Sequence, residues 1–501
     1  MRLLFVTSIL SIMAVISIGG EFDPPDIEID LSKEEFRQVS IEWRISPIAL
    51  TEEGVIVLPG EPYVLSVLDH LGISYRISEK REREKAASAL RRKLLPGSYF
   101  DPDSFEAWAT QLVNTHSSIT DMIQVGTSVN GRPLWAIKVT DFPETEEFEP
   151  ELRIIGNIHG DELSGLMVCT DVLEWIVTNY GSDPLADRLV NESEMWFMPM
   201  VNPDGNATDS RFNANWVDLN RNFDGPDGSG TLVPFSEPET QAVRALSQTY
   251  GNKFVLGLTF HSGAACFNSV WNFDINEPLS DLPNFFSSRT GGLPCHNNVC
   301  AVPSEHGLAQ AYKDGSTYPE FWYVFGADWY ETTGDTNDWA YHFESTLDTT
   351  IEVTEFKTPA ASQIPIFTEQ HRHGVLNYLD KVFQGIYGLV TDSVTGDPLD
   401  ATITVGTFKP VPTDPTLGDY HRFCVPGTYA VTVSAPGYPD HVFSDVVVQA
   451  DMRTRLDVAM AVVVTYDELV PYWPGAGPFD SNNNQRVDIL DLLSLLNGDS
   501  L

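Results

Sequence analysis

The pattern that most constrains this chain is the alternation, between about residues 97 and 383, of short apolar runs with longer helical periods. LRIIGNI, MWFMPMV, FVLGLTF and TTIEVTE read as strands, while LSGLMVCTDVLEWIVTNYG and TEQHRHGVLNYLDKVFQG have the length and spacing of helices. Such alternation predicts an α/β domain with a largely buried, mixed sheet. Ligands of these sheets gather beyond the carboxyl ends of the strands, so the residues just after each run are the ones to search.

With 501 residues the chain exceeds one core, and its remaining stretches differ in character. Residues 1–20, MRLLFVTSILSIMAVISIGG, combine an early arginine, an apolar run and small residues at Ser17 and Gly19, the plan of a secretory signal, with an uncleaved membrane anchor as the alternative. Residues 21–96 alternate strands (SIEWRI, GVIVL, ISYRI) with the amphipathic helix YVLSVLDHLG, then end in EKREREKAASALRRK. That charged run is either a solvated helix or a protease-sensitive connector that releases a pro-segment. Residues 384–463 change to short period-two runs between Gly, Pro and Asp turns, which predicts a small antiparallel β-sandwich. Residues 464–501 begin as a Pro- and Gly-rich linker. The formal net charge of −41 argues against nucleic acid, whose phosphates need an excess of Lys and Arg, and fits the solvated acidic surface of a secreted protein. Five cysteines leave an odd one; Cys295 and Cys300 in CHNNVC could close a small loop, and Cys169, Cys266 and Cys424 read as small apolar residues.

The familiar metal and phosphate motifs are missing: there is no HExxH, no Gly-Lys of a phosphate loop and no CxxC. Instead His159 and Glu162 stand three apart in GNIHGDELSG, directly after LRII, and His261 follows another strand in LTFHSG. Two imidazoles and one carboxylate leave a tetrahedral zinc one open position, as a catalytic site requires. NPDG at 202–205 precedes RFNANWVDLNRNF, in which Arg211, Asn220 and Arg221 offer planar and amide donors suited to a carboxylate. Asp218 is placed to orient a zinc-bound imidazole.

The order H-x-x-E, N-P-D-G, R, D-L-N-R-N-F, H resembles the zinc carboxypeptidase family, and within it the regulatory, carboxypeptidase N/E-like branch. The likeness covers 97–383, and the following sandwich resembles the transthyretin-like module of that branch. The resemblance implies a secreted zinc metallocarboxypeptidase acting on peptide or protein C-termini. It implies a general-base glutamate: Thr350, Ile351 and Glu352 with Lys357 and Pro359 fit the family pattern, and strand parity sets Glu352 opposite Ile351 and Val353 while Glu355, the alternative, shares their face. It implies a mobile tyrosine, placed at Tyr341 by TNDWAY, an oxyanion role for Arg211, and a clamp of Asn220 and Arg221 on the terminal carboxylate. Asp274, reached after a two-residue shift, would select Lys or Arg, and an ordinary turn aspartate fits it equally. A same-fold peptidase of cell-wall stem peptides and a non-catalytic binding protein are the other readings.

In the tail, Asp480, Asn482, Asn484, Asp488 and Asp491 occupy positions 1, 3, 5, 9 and 12 of a calcium loop, with the Arg486 carbonyl at 7. Gln485 stands where glycine is usual. The segment looks like half of a dockerin module, which would take a cohesin-like partner.

Overall fold

The structure, a computed structural model, describes residues 99–461 apart from 227–232, 251–253, 275, 278–284 and 290–300, together with parts of 25–79. The signal-like stretch, most of the charged run, Cys295, Cys300 and the calcium-loop motif at 480–491 lie outside the described residues. The chain divides into two compact units, one comprising residues up to Gly385 with 423–426 and 449–452, the other the remainder.

The first unit opens with a small antiparallel sheet of β1 (Asp26–Ile29), β2 (Ala49–Leu50), β3 (Ile56–Pro59) and β4 (Tyr75–Ile77), in the order β2-β3-β1-β4. Ile27, Ile29, Ile56 and Leu58, two apart along their strands, meet Val64, Val67 and Leu68 of α1 (Pro62–Leu71) in one buried cluster. Tyr330, distant in sequence, packs against the same cluster.

The main sheet contains β5 (Thr120–Thr127), β6 (Pro133–Val139), β7 (Glu151–Gly156), β8 (Glu194–Met198), β9 (Phe254–His261) and β10 (Cys266–Ser269). After a separate ribbon of β11 (Ser287–Arg289) and β12 (Ala301–Pro303) it is completed by β13 (Trp322–Phe325) and β14 (Leu347–Glu352), in the order β13-β10-β14-β9-β7-β8-β6-β5. The central strands β14, β9, β7 and β8 run parallel, with antiparallel partners β6 and β10 on either side. Every residue of β7, β8 and β9 is buried, the mark of a sheet covered on both faces. Helix α2 (Pro102–Thr115) begins at a reciprocal cap in which Asp101 accepts the Ser104 amide and Ser104 the Asp101 amide. Helices α3 (Leu163–Asn179) and α4 (Ile364–Asp380) lie against each other, and α3 against β7 and β9. The mixed α/β architecture read from the sequence is therefore the one formed.

The second unit is β-rich. β15 (Gly385–Asp392), β18 (Asp419–Phe423), β21 (Arg453–Arg455) and β22 (Val458–Met460) make one sheet, and β16 (Thr402–Val405), β17 (Val411–Pro412), β19 (Gly427–Ser434) and β20 (His441–Val448) the other. The second sheet is antiparallel as expected; in the first, β22 joins β15 parallel. Among the described residues no helix is long and apolar enough to cross a membrane.

Candidate active site

The chain leaves β7 through Asn157, whose φ of 52° turns it sharply, and the Asn157 side chain donates to the carbonyls of His159 (2.9 Å) and Gly160 (3.2 Å). A Cβ at residue 160 would lie 2.0 Å from the Gly205 carbonyl carbon, so only glycine lets this turn rest on the one at 202–205. Asn202 joins the two: its Oδ1 accepts the Gly205 amide at 2.9 Å and its Nδ2 donates to the Ile158 carbonyl at 3.2 Å. The NPDG motif is thus the seat of the HGDE turn. Glu162 stands at the start of α3 but makes no cap; the amides of Leu163 and Ser164 instead reach the Lys357 carbonyl at 3.0 and 3.1 Å. That substitution leaves the Glu162 carboxylate free for other work.

The carboxylate faces two imidazoles. His159 Nδ1 is 2.9 Å from Glu162 Oε1, His261 Nδ1 is 2.9 Å from Glu162 Oε2, and the two Nδ1 atoms are 3.1 Å apart. Donors 2.0–2.1 Å from a tetrahedral zinc lie roughly 3.3 Å apart, so this trio fits the metal by type and by spacing. All three residues are buried. Burial holds the His261 imidazole down at about 4, the neutral form a metal needs. Burial also pushes Glu162 up, but His159, Lys357 and His261 outweigh it and keep the carboxyl well below its usual range. The far side of His159 is fixed by Asp218, whose Oδ1 lies 3.1 Å from Nε2, and Asp218 is gripped by the Arg211 fork through Nε (2.9 Å) and Nη2 (2.8 Å). The third Arg211 nitrogen, Nη1, lies 3.2 Å from His159 Nδ1, beside the convergence point.

Glu352 ends β14 directly opposite His261 in the parallel register, between Ile351 and Val353, which are fully buried. Burial and then the neighbouring Glu162 push its carboxyl well above the usual range. Glu355 is exposed. Asn220 and Arg221 follow Asp218 in a short turn; Asn220 Nδ2 lies 3.3 Å from His261 Nε2 and its Oδ1 accepts the Thr336 amide at 3.1 Å.

Two of the expected residues have surroundings of their own. Tyr341 is only 2% exposed and its ring packs 5.1 Å from that of Trp271, a core position; the tyrosine whose phenol feels Arg221, Glu352, Arg211 and Glu162 is Tyr330, pushed up to about 12 by burial. Asp274 accepts the amide and side chain of Asn276 (2.8 and 3.1 Å), a local turn bond. Beside the Asn220 and Arg221 turn lies a different carboxylate, Asp335. It is 2% exposed, its Oδ1 accepts from Asn272 Nδ2 (3.1 Å) and the Asp338 amide (3.0 Å), and its Oδ2 is buried with no hydrogen-bond partner among the described residues. Lys357, 2.6 Å from Asp161 and 3.4 Å from Glu162, is a further charge at the site that the sequence motif did not assign.

Residues 105–374 match the family model of the zinc carboxypeptidases, and 385–461 that of the carboxypeptidase regulatory-like domain. The chain is 32% identical over 364 residues to carboxypeptidase SOL1 of Arabidopsis thaliana, covering 69% of each chain. It is 32% identical over 352 residues to carboxypeptidase D of Homo sapiens, covering 67% of this chain and 25% of that protein, so it spans about a quarter of that relative's length. Among solved structures it is similar in fold to carboxypeptidase A of Helicoverpa armigera (TM-score 0.53, 16% identity, 72% of this chain and 97% of that one). The thrombin activatable fibrinolysis inhibitor is comparably similar (TM-score 0.51, 16% identity, 71% and 98%). With a matching family model over its catalytic unit and a metal-fitting trio at the strand ends, the chain belongs to the zinc carboxypeptidase family of metallocarboxypeptidases, its catalytic domain followed by a carboxypeptidase regulatory-like domain.

Proposed function

We propose that the protein is a secreted carboxypeptidase that removes single residues from peptide C-termini, with Glu352 as general base and a preference for terminal Lys or Arg. The observation that carries the reading is the placing of Glu352 beside His261, in register, at the ends of adjacent parallel strands. His159, Glu162 and His261 would hold zinc, which would supply a Lewis acid for the scissile carbonyl and for water. Glu352 accepts a proton as water adds to the carbonyl carbon, then delivers it to the amine nitrogen as the C–N bond breaks. Arg211 Nη1 is aimed where the oxyanion develops, and its grip on Asp218 keeps it there. Asn220 and Arg221 hold the substrate's terminal carboxylate, which limits cleavage to one residue. Tyr330 closes the site beside them.

Asp335 is the selector of the terminal side chain. Its neighbour Thr336 is bonded to Asn220, Arg221 acts on its charge, and its open oxygen has room in its bonding for a cationic partner. Peptides differing only in the last residue, digested by the zinc-loaded protein, test both statements. Release of single terminal residues, fastest for Arg and Lys, is expected. In Asp335→Asn the basic-to-apolar ratio of kcat/KM should fall about thirtyfold, the scale of a lost buried charge pair. An unchanged ratio removes Asp335 as selector and leaves the hydrolase; no terminal release at all sinks the carboxypeptidase reading.

A further inference from the structure

Glu352, the base of the proposed reaction, is aimed by its main chain. Its Oε2 is buried with no hydrogen-bond partner among the described residues, so no side-chain contact fixes that oxygen. The chain leaves β14 through Val353 and Thr354. The Val353 amide donates to the His261 carbonyl at 3.0 Å, and the Thr354 carbonyl accepts the Gly263 amide at 2.8 Å, so the metal-ligand strand holds this segment from one direction. The Val353 carbonyl is held from elsewhere: His371 Nε2 lies 2.9 Å from it.

His371 stands on α4 and is fully buried. A carbonyl can only accept, so Nε2 carries the hydrogen. Burial holds the imidazole down at about 3; the ring is therefore neutral and Nδ1 is left as an acceptor. Tyr312, on the helix Leu308–Gly315, supplies the donor, its hydroxyl 2.5 Å from Nδ1. The two helices meet closely because a Cβ on residue 374 would lie 2.8 Å from the Tyr312 carbonyl oxygen, and one on residue 315 would lie 2.2 Å from that of His373; both positions are glycine. Tyr318 stacks on the His371 ring at 4.7 Å, and its phenol bonds to the main chain of Glu355. Two turns along the same helix, Tyr378 makes the matching contact at the start of β14, its hydroxyl 3.0 Å from the Leu347 carbonyl and 2.9 Å from that of Gly257. A buried histidine among aromatic rings is ordinarily a packing solution. What sets His371 apart is the atom it serves, one residue beyond the base.

We propose that His371 is a positioning residue for the hydrolysis: by bridging Tyr312 and the Val353 carbonyl it fixes the strand end that aims the Glu352 carboxylate. The inference rests on the reading of Glu352 as general base. Without the imidazole the buried carbonyl loses its donor, and rotation of the peptide toward another partner displaces Glu352. A displacement of about 1 Å can cost up to a hundredfold in rate.

The test follows release of one C-terminal residue by the zinc-loaded full chain, with zinc content measured for every variant. His371→Leu should lower kcat about thirtyfold while KM and zinc content match the wild type. His371→Gln can offer an amide N–H to the same carbonyl and should bring kcat back to within about threefold of wild type. Tyr378→Phe, which loosens the other end of β14, should lower Tm and leave kcat unchanged. A cycle with Glu352→Gln separates the inference from the reading beneath it: in that background His371→Leu should cause no further loss, because the group it aims is gone. Equal losses in both backgrounds, a change confined to KM, loss of zinc, no recovery with His371→Gln, or an equal fall of kcat in Tyr378→Phe overturns the positioning role and leaves the base in place. A fully active Glu352→Gln overturns the base, and the role of His371 with it. Should His371→Leu fail to fold, Tyr312→Phe decides, since it keeps the ring and removes only the donor to Nδ1. A fall in kcat of about threefold at constant KM supports the role, and an unchanged kcat overturns it.

Discussion

Strands β7, β9 and β14 carry buried charge at two levels, and the two levels behave differently. Midway along them Arg153, Gly257 and Asp348 lie in one row across the sheet. A Cβ on residue 257 would come within 2.3 Å of Asp348 Oδ2, so glycine makes the space in which the ion pair meets. There Arg153 Nη2 is 2.7 Å from Asp348, its Nη1 donates to Ser247 Oγ at 2.7 Å, and Thr259 donates to Asp348 Oδ1 at 3.2 Å. Positive charge answers negative. At the carboxyl ends of the same strands, two imidazole nitrogens and the Glu162 carboxylate turn toward one another, His159 and His261 each 2.9 Å from Glu162 and 3.1 Å from each other. Burial of charge is common to both rows; convergence of lone pairs on one point is what marks the second as a site of chemistry.

The sharpest test of that distinction is Glu352→Gln. Loss of a positioned general base should lower kcat/KM by about a thousandfold while zinc stays bound, as measured by peptide hydrolysis and metal analysis of the same preparation. Zinc lost together with activity would make Glu352 a ligand and redraw the convergent group. Next in size is Asp348→Asn. It removes the nearer of the two carboxylates at the buried Arg153, Glu344 lying 3.6 Å from Nη1, and should cost about 3 kcal/mol in denaturant unfolding. The kcat/KM of the molecules that remain folded should match the wild type; if it falls as well, the two rows are one coupled network and the comparison fails.

Much of this could be read before any coordinates, because the signals were local. Strand runs such as FVLGLTF lie wholly buried, the H-x-x-E and H-S-G residues stand at strand ends, and strand parity separates Glu352, which lies opposite His261, from Glu355, which is exposed. The rest depends on distant packing, which a local motif does not carry. TNDWAY ends in a tyrosine of the right type, but Trp339 and Tyr341 are core residues, and the ring that reaches the site, Tyr330, stands in the polar stretch ADWYETTGD with no periodicity to single it out. Asp335 read equally well as the cap of a short turn, which it also is. Its nearness to Arg221 exists only once β10 and β14 pair and bring Asn272 beside it.

The smallest expected effect concerns Tyr330 itself, which touches two apolar groups at once: the amino-terminal cluster of Ile27, Leu58 and Val67, and the Trp322, Trp329 and Cys266 cluster beside β10. We propose that residues 21–96 act as a pro-segment, and that the amino-terminal sheet does so by holding this tyrosine. Tyr330→Phe keeps the ring and removes one hydroxyl, so in the cleaved enzyme kcat/KM should fall roughly threefold, the scale of one net hydrogen bond. Tyr341→Phe should leave kinetics unaltered. Limited proteolysis within the charged run after residue 79 should raise wild-type activity, because it detaches the cluster that packs on Tyr330. Activity unchanged by complete cleavage would make the amino-terminal sheet a fixed part of the enzyme. A larger kinetic effect at Tyr341 than at Tyr330 would return the mobile role to the residue that sequence motif alone suggested, and would mean that convergence on the metal is read from farther inside the core than these distances imply.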